Sequence, residues 1–389
     1  MISRTLFDAE HEAFRATVRR FIDKEIAPHY ASWEKEGMVS REVYLAAGEA
    51  GILCPCVPEE YGGGGADFRY GAIVVEEFGR AGCAGVSFHL HSEIVAPYLV
   101  HYGTEAQKRH WLPKLARGEI ITAVAMTEPS GGSDLQAIKT RAVRDGEDYV
   151  INGQKTFISN GRLADLIVLA CKTDPAQGAK GISLLLVEAG RPGFDYGRKL
   201  EKVGFRAQDT SELFFSDCRV PVSNLLGQEG RGFVQLIEQL PQERLVVAIR
   251  SAGVIDSALE WTTRYVNERK AFGRTLASFQ NTRFKLAELK TAAMVTRSFI
   301  DACIAEHLKG ELDAVDAAMA KLHATETMWR VLDDCVQLHG GYGYMWEYPI
   351  TRAWADGRVA RVAGGSSEIM KEIIGRSLVD KPTVRDRAT

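Results

Sequence analysis

The chain has 389 residues, 46% of them hydrophobic and 25% charged, with 48 basic side chains against 51 acidic ones. That length is enough for two or three domains and a sizeable core, and the composition is that of a globular protein. A formal charge of −3 gives no general attraction to nucleic acid or to an anionic membrane, so a polyanionic ligand has to be met by local groups.

The seven cysteines, at positions 54, 56, 83, 171, 218, 303 and 335, are scattered and odd in number. Cys54-Pro55-Cys56 lacks the two-residue spacing of zinc and redox motifs, and reduced thiols are expected, as in a cytosol. Met1 to Arg20 mix acidic, basic and apolar residues without the apolar stretch of a secretory leader, and they read as the start of a folded helix. No apolar run approaches the ~20 residues of a membrane span. Arg387-Ala388-Thr389 is neither a peroxisomal address nor a prenylation box. The expectation is a cytoplasmic protein with no nucleic-acid partner and no membrane insertion.

Three regimes of patterning follow in chain order. Over residues 1–118 apolar residues recur at three- and four-residue spacings, as in Phe14, Val18, Phe21 and Ile22, or Ile94, Tyr98 and Leu99, which is a helical period. Gly62-Gly63-Gly64-Gly65 is expected to interrupt these helices with a flexible turn. Over residues 119–230 short apolar runs take over: Ile120 to Met126, Leu166 to Cys171, Ile182 to Val187 and a strand pair or edge from Asp209 to Val220. Asn152-Gly153, between Tyr149-Val150-Ile151 and Phe157-Ile158, has the form of a hairpin turn. Over residues 231–389 the helical period returns, with Leu245, Ile249, Ala252, Ile255 and Leu259 as one stripe and Gly310 and Gly340-Gly341 as punctuation. The expected fold class is α+β multidomain: an N-terminal all-α domain, a middle β-domain and a C-terminal α-helical bundle.

Two segments carry more than patterning. Ala125-Met126-Thr127-Glu128-Pro129-Ser130-Gly131-Gly132-Ser133-Asp134 resembles the first signature of the acyl-CoA dehydrogenase family. Gln337-Leu338-His339-Gly340-Gly341-Tyr342-Gly343-Tyr344, running on through Glu347, Arg352 and Asp356, resembles the second. The resemblance covers nearly the whole chain. Leu240-Pro241-Gln242-Glu243-Arg244-Leu245, Ala271-Phe272-Gly273 and Tyr344-Met345-Trp346-Glu347-Tyr348-Pro349 are most similar to its long-chain members.

The resemblance implies FAD as cofactor. Taken alone, the turn from Pro129 to Ser133 reads as a plain loop, although a Gly-rich turn can present backbone N–H groups to a ligand. As a family member, the chain would line the isoalloxazine ring with Met126 and Thr127 and flank it with Phe157, Ile158 and Ser159. Phe157 and Ser159 stand where many relatives carry Trp and Thr, and they keep the aromatic face and the hydroxyl. The resemblance further implies that Arg269, Phe272 and Gln280 grip the adenosine and pyrophosphate half together with Gln337, Gly340 and Gly341 across a subunit interface. An arginine fork suits pyrophosphate. A homodimer or homotetramer follows. Ser366 and Glu368 match positions that touch the cofactor, and Ser133 one that contacts the pantetheine arm of an acyl-CoA substrate.

Desaturating a thioester needs a base for a weakly acidic α-proton, held where desolvation raises its pKa. Many relatives carry a Glu just before the Gly of a Glu-Gly-Thr segment. This chain reads Ala363-Gly364-Gly365-Ser366, so Gly364 stands in that place. Long-chain and isovaleryl members instead carry the base in a Glu-Arg-Leu segment, which Glu243-Arg244-Leu245 matches. Without the resemblance Glu243 reads as one more surface acid on a charged helix. With it, Glu243 is the expected base, Arg244 a supporting residue, and Gly364 the backbone N–H donor to the thioester oxygen. The expected reaction converts a medium- to long-chain acyl-CoA to trans-2-enoyl-CoA, with electrons passed to an electron-transferring flavoprotein. The alternatives are an isovaleryl-type short branched-chain dehydrogenase, a flavoprotein oxidase, and a non-catalytic partner on the same fold. His89-Leu90-His91 has no third ligand cluster, so no metal is expected, and His339 reads as a packing or interface residue.

Overall fold

The computed structural model describes residues 3–83 and 85–379; the C-terminal tripeptide Arg387-Ala388-Thr389 lies outside them. Helices come first: α1 (Ala9–Phe21), α2 (Ala27–Glu36), α3 (Glu42–Glu49), α4 (Phe68–Arg80), α5 (Ala96–Tyr102) and α6 (Glu105–Ala116). Asp8 and Thr104 cap α1 and α6, each accepting backbone N–H bonds from the first turn, which satisfies donors that a helix start leaves open.

The middle stretch is a sheet of β1 (Thr122–Ala125), β2 (Arg141–Asp145), β3 (Asp148–Ser159), β4 (Leu166–Lys172), β5 (Ile182–Glu188), β6 (Phe194–Lys199), β7 (Thr210–Pro221) and β8 (Leu225–Leu226). Its order is β6-β7-β3-β2-β4-β5-β8, with β1 pairing parallel to β4. Helices then return as α7 (Gly232–Glu268), a short hairpin of β9 (Lys270–Ala271) and β10 (Arg274–Thr275), α8 (Gln280–Leu308), α9 (Ala314–His339), α10 (Pro349–Gly357) and α11 (Ser367–Val379). The N-terminal helical, middle β and C-terminal helical layout is thus the architecture of the chain.

By packing, the chain divides into two units. One holds Phe7–Val75 with Cys83–Gln239; the other holds a segment ending at Leu6, Glu76–Gly82, and the chain from Leu240 onward. In the sheet-bearing unit, alternate residues of β4 enter different cores. Leu166, Val168 and Ala170 pack with Leu99, Leu112 and Leu115 of the helices. Ile167, Leu169 and Cys171 pack with Ile151, Leu213 and Phe215 across the sheet. An uninterrupted apolar run is what a strand buried on both faces requires.

In the helical-bundle unit the core joins Ile255, Leu259, Leu289, Met328, Val331, Leu332 and Ile350. An ion network adds to it. Arg4 forks onto Asp301 at 2.7 and 2.8 Å and donates to Glu76 at 2.9 Å, while Arg297 donates to Glu76 at 3.0 Å and to Asp256 at 2.6 Å. These bonds tie Arg4 and Glu76 to the bundle.

Two expectations need correction. Asn152-Gly153 is not a hairpin turn: β3 runs straight through it, and the chain reverses at Gly146-Glu147, between the paired Asp145 and Asp148. The dipeptide lies opposite a bulge in β7, where Ser216 and Asp217 stand against Asn152 alone. The Asn152 amide donates to the Asp217 carboxylate at 2.9 Å and its carbonyl accepts the Asp217 N–H at 2.9 Å, so a partner in a distant strand displaces the local turn. The Gly62–Gly65 run is a packed loop, not a flexible one. A Cβ on Gly63 would lie 2.2 Å from the Val57 carbonyl oxygen, and one on Gly64 2.8 Å from that of Pro55.

A second irregularity in the β3–β7 pairing falls between Lys155 and Ile158, and it is anchored by a buried ion pair. The Lys155 ammonium donates to the Glu128 carboxylate and to the Met126 carbonyl, both at 2.9 Å. Glu128 also accepts the backbone N–H groups of Lys139 at 2.6 Å and Thr140 at 2.9 Å. Burial by itself pushes the Glu128 carboxyl up, but Lys155 and the Thr140 bonds outweigh it and hold the group below its ordinary value of 4.5. Lys155→Met therefore leaves a buried carboxylate uncompensated and costs about 3–5 kcal/mol of stability. The double variant Glu128→Gln/Lys155→Met costs only about 1–2 kcal/mol, as read by denaturant unfolding. Because the carboxyl is depressed, its contribution is full above 4.5 and is lost as pH falls through the lower folded value. The stability gap between wild type and Glu128→Gln narrows with acid.

Candidate active site

In the sheet-bearing unit, β1 ends at Ala125 and the chain turns through Met126 and Thr127, both half-buried. The Thr127 carbonyl accepts the Thr156 N–H at 3.0 Å, so this loop is bonded to β3 where β3 departs from β7. Beside that bond Phe157 takes φ +59 and its ring is 67% exposed. A bulky residue in the left-handed region is strained, and here the strain turns an aromatic face outward between two buried neighbours, Thr156 and Ile158. Ser159 donates to the Gln208 side chain at 3.3 Å, and Gln208 donates to the Ser87 hydroxyl at 2.5 Å. Ser133 is exposed, beyond a tight turn in which Glu128 and Gly131 exchange backbone bonds. Five of the six residues expected here, Met126, Thr127, Phe157, Ile158 and Ser159, thus lie on two chain segments joined by the Thr127–Thr156 bond.

Two clusters occupy the bundle unit. At the C-terminal end of α7, Arg269 is exposed, lies over the Tyr342 ring at 5.3 Å, and offers its carbonyl to Leu276 N–H at 2.8 Å. Phe272, at the tip of the β9–β10 hairpin with φ +53, is 95% exposed. Gln280 opens α8 and Gln337 lies in the last turn of α9, both exposed. Gly340 and Gly341 follow, with no heavy atom within 4 Å of where a Cβ would stand on either. His339 is a packing residue: it stacks on Tyr265 with ring centroids 4.2 Å apart, and its Nδ1 donates to the Cys335 carbonyl at 2.8 Å.

The other cluster is built on α7. Pro241 removes one backbone donor from the helical ladder just ahead of Glu243, yet α7 continues through it. Glu243 is 8% exposed and Arg244 5%, so neither is the solvated surface charge that the helix composition alone suggests. Burial lowers the Arg244 guanidinium pKa, which Glu243 opposes, and Arg244 Nε has no hydrogen-bond partner among the described residues. Val247 lies one turn beyond Glu243 on the same face. A Cβ on Gly364 would lie 3.7 Å from the Val247 Cγ2 atom, which brings residues 243 and 364 to one stretch of α7 although 120 positions separate them.

Gly364 and Gly365 take φ +67 and +95 and lead into α11. Ser366 Oγ accepts the Ile369 N–H at 3.3 Å. Glu368 is exposed, its carboxyl lowered by its own backbone N–H and by Ser366.

Sequence reading overlooked Glu128, Lys155, Gln208 and Lys321. Lys155 and Lys321 are both fully buried. The signal for Lys321 was periodicity: Ala317, Ala318, Ala324, Thr325 and Met328 of α9 lie at helical spacing from it and are all buried. His91 is buried and bonded through both ring nitrogens. Its Nε2 bonds the Leu115 carbonyl and its Nδ1 the Thr122 hydroxyl, each at 3.0 Å. Among the described residues no three His, Cys, Asp or Glu side chains gather as a metal site would need.

The chain matches the acyl-CoA dehydrogenase N-terminal domain over residues 8–119, the middle domain over 123–218 and the C-terminal domain over 230–379. It is 50% identical to the mitochondrial long-chain specific acyl-CoA dehydrogenase of Sus scrofa, covering 97% of this chain and 88% of that one. The crystal structure of an acyl-CoA dehydrogenase from Geobacillus kaustophilus superposes with a TM-score of 0.95 at 51% identity, over 97% of this chain and 100% of that one. A Bacillus anthracis acyl-CoA dehydrogenase complexed with FAD superposes with a TM-score of 0.90 at 31% identity, over 96% of this chain and 67% of that one. With all three domains matched in order and half the residues shared with a long-chain enzyme, the chain belongs to the acyl-CoA dehydrogenase family, in its long-chain branch, and is an acyl-CoA dehydrogenase.

Proposed function

We propose that the enzyme desaturates a medium- to long-chain acyl-CoA between Cα and Cβ, giving trans-2-enoyl-CoA, with FAD as cofactor and Glu243 as base. The observation that carries this reading is the buried Glu243 on α7, with Gly364 opening the alternative base position onto the same helical stretch. A carboxylate held away from water is a stronger base than one in solution, and only one of the two positions carries one here.

The residues fit a flat, partly anionic dinucleotide. Phe157 offers an aromatic face and Thr127 and Ser159 hydroxyls, beside the polar backbone of the Met126–Thr127 turn. Arg269 and the Gly340-Gly341 step, open to close approach, suit pyrophosphate. FAD, when bound, supplies the acceptor for the hydride that leaves Cβ. Glu243 takes the α-proton on its carboxylate as that bond breaks, and Arg244 holds the base region in order. The Gly364 N–H donates to the thioester oxygen, where negative charge develops. Ser133 meets the pantetheine arm, and Gln280, Gln337, Ser366 and Glu368 contribute to cofactor binding.

A homodimer or homotetramer is supported by Phe272: a phenyl ring 95% exposed beside Arg269 is poorly placed in water and well placed against an adenosine shared with a second copy. Onward transfer of electrons to an electron-transferring flavoprotein and residence in the cytoplasm complete the reading. The pig relative is mitochondrial, and here no described helix is long and apolar enough to cross a membrane.

Mixed anaerobically with acyl-CoAs of graded length and branching, the purified protein loses its flavin absorbance most rapidly with unbranched medium or long chains. Preferential bleaching by isovaleryl-CoA transfers the reading to the branched-chain enzymes. Oxygen consumption without an added acceptor transfers it to an oxidase.

Glu243→Gln retains flavin and loses about 100- to 10,000-fold in turnover. Substantial remaining activity sinks the base assignment. Adding Gly364→Glu to that variant restores part of the rate, limited by the strain of a side chain at φ +67.

A further inference from the structure

We propose that Lys321 is a positioning residue for the thioester, its ammonium mooring the Gly364–Gly365 turn that presents the N–H donor to the carbonyl oxygen. This rests on the function proposed above. The Lys321 side chain is fully buried in α9, and Nζ donates to the Gly365 carbonyl at 2.5 Å. The turn it reaches is made of two glycines at φ +67 and +95. Neither has a side chain to lock it; Gly364 meets only Val247 within 4 Å of a would-be Cβ, while a Cβ on Gly365 would lie 2.7 Å from the Met370 Cε atom. The Gly364 side of the turn is open, so the bond from Lys321 to the Gly365 carbonyl fixes it from outside, and a backbone donor misplaced by an ångström loses most of its effect.

The alternative is that Lys321 is a buried polar residue satisfied by one carbonyl, with no part in the reaction. Its electrostatic surroundings argue against that. Burial pushes the Lys321 ammonium down to about 8, the neighbouring Arg244 pushes it the same way, and Glu326 and Glu368 oppose them. Glu326 is itself engaged by Arg361 at 2.8 Å and Ser367 at 2.6 Å, and Glu368 is exposed. Two cations therefore share a water-poor region, and one of them, Arg244, has an unpartnered buried Nε among the described residues.

A neutral side chain could bond one carbonyl with far less desolvation. The negative charge of this region lies on Glu243 in the resting site and moves during the reaction. As Glu243 takes the α-proton it becomes neutral, the charge passes to the thioester, and Lys321 and Arg244 remain to face it. Electrostatic preorganisation of that kind acts in the transition state and little in ground-state binding.

The test compares wild type with Lys321→Met, Lys321→Gln and Lys321→Arg in the flavin-loaded enzyme. Two readouts are the rate and apparent affinity of flavin bleaching by the best acyl-CoA. A third is the absorption maximum of bound cinnamoyl-CoA, whose red shift reports polarisation of the thioester carbonyl.

The expected result for Lys321→Met is a bleaching rate lower by about 10- to 100-fold, an affinity within about threefold of wild type, and most of the red shift lost. Lys321→Arg, which keeps charge and donor, recovers part of both the rate and the shift. If Lys321→Met does not fold, Lys321→Gln, shorter and uncharged, carries the same expectation. A full red shift and full rate in the folded neutral variant overturn the assignment alone. A wild-type protein that binds flavin but shifts no thioester spectrum and is bleached by none overturns the proposed function and this assignment with it.

Discussion

Glu128 and Lys155 have left water together, and much of the sheet-bearing unit is arranged so that neither is stranded. The carboxylate collects an ammonium and two backbone N–H groups; the ammonium reaches back to the carbonyl of Met126. Each bond ties a different piece of chain, so the loop after β1, the approach to β2 and the middle of β3 become one rigid object. Phe157 can sit in a strained conformation with its ring exposed because the backbone on its N-terminal side is held at Lys155 and Thr156. A strained residue persists only where its surroundings over-determine it. The pair contributes little net stability compared with an apolar replacement; what it supplies is a defined position for the residues around it.

The bundle unit handles charge differently. On the α4–α8 side, Arg4 and Arg297 are matched by Glu76, Asp256 and Asp301. Around Glu243 the balance tilts toward cations, with Arg244 and Lys321 both buried. The first arrangement holds segments together. The second is costly for folding, and it is at functional sites that local rules are expected to be broken.

Much of this was legible in the sequence where the information is local. The short apolar run Leu166–Cys171 announced a strand, and the stripe from Leu245 announced α7. Glu243 stood out by its Glu-Arg-Leu motif, whereas its burial on α7 came only with the structure. Distant partners were what sequence could not supply. Asn152-Gly153 has the composition of a tight turn, but Asp217, 65 residues away, holds it inside β3 opposite a bulge of β7. Lys155 and Lys321 read as ordinary surface lysines until strand parity and helical spacing are followed, since a charged side chain on an inward position is intelligible only with its partner in view.

The bidentate bond between Arg4 and Asp301 spans 297 positions, and that has a kinetic meaning. Arg4 has to wait for α8 before its guanidinium finds both carboxylate oxygens, and Glu76 waits with it for Arg297. Loop-closure entropy over such a span is paid before any of these bonds forms, and contacts of long sequence separation slow folding. The bundle is therefore completed late in synthesis, and until then the α4 residues Glu76 to Arg80 lack the ion partners that α7 and α8 provide. A chain that ends before α8 lacks Arg297 and Asp301, the two groups that close this network.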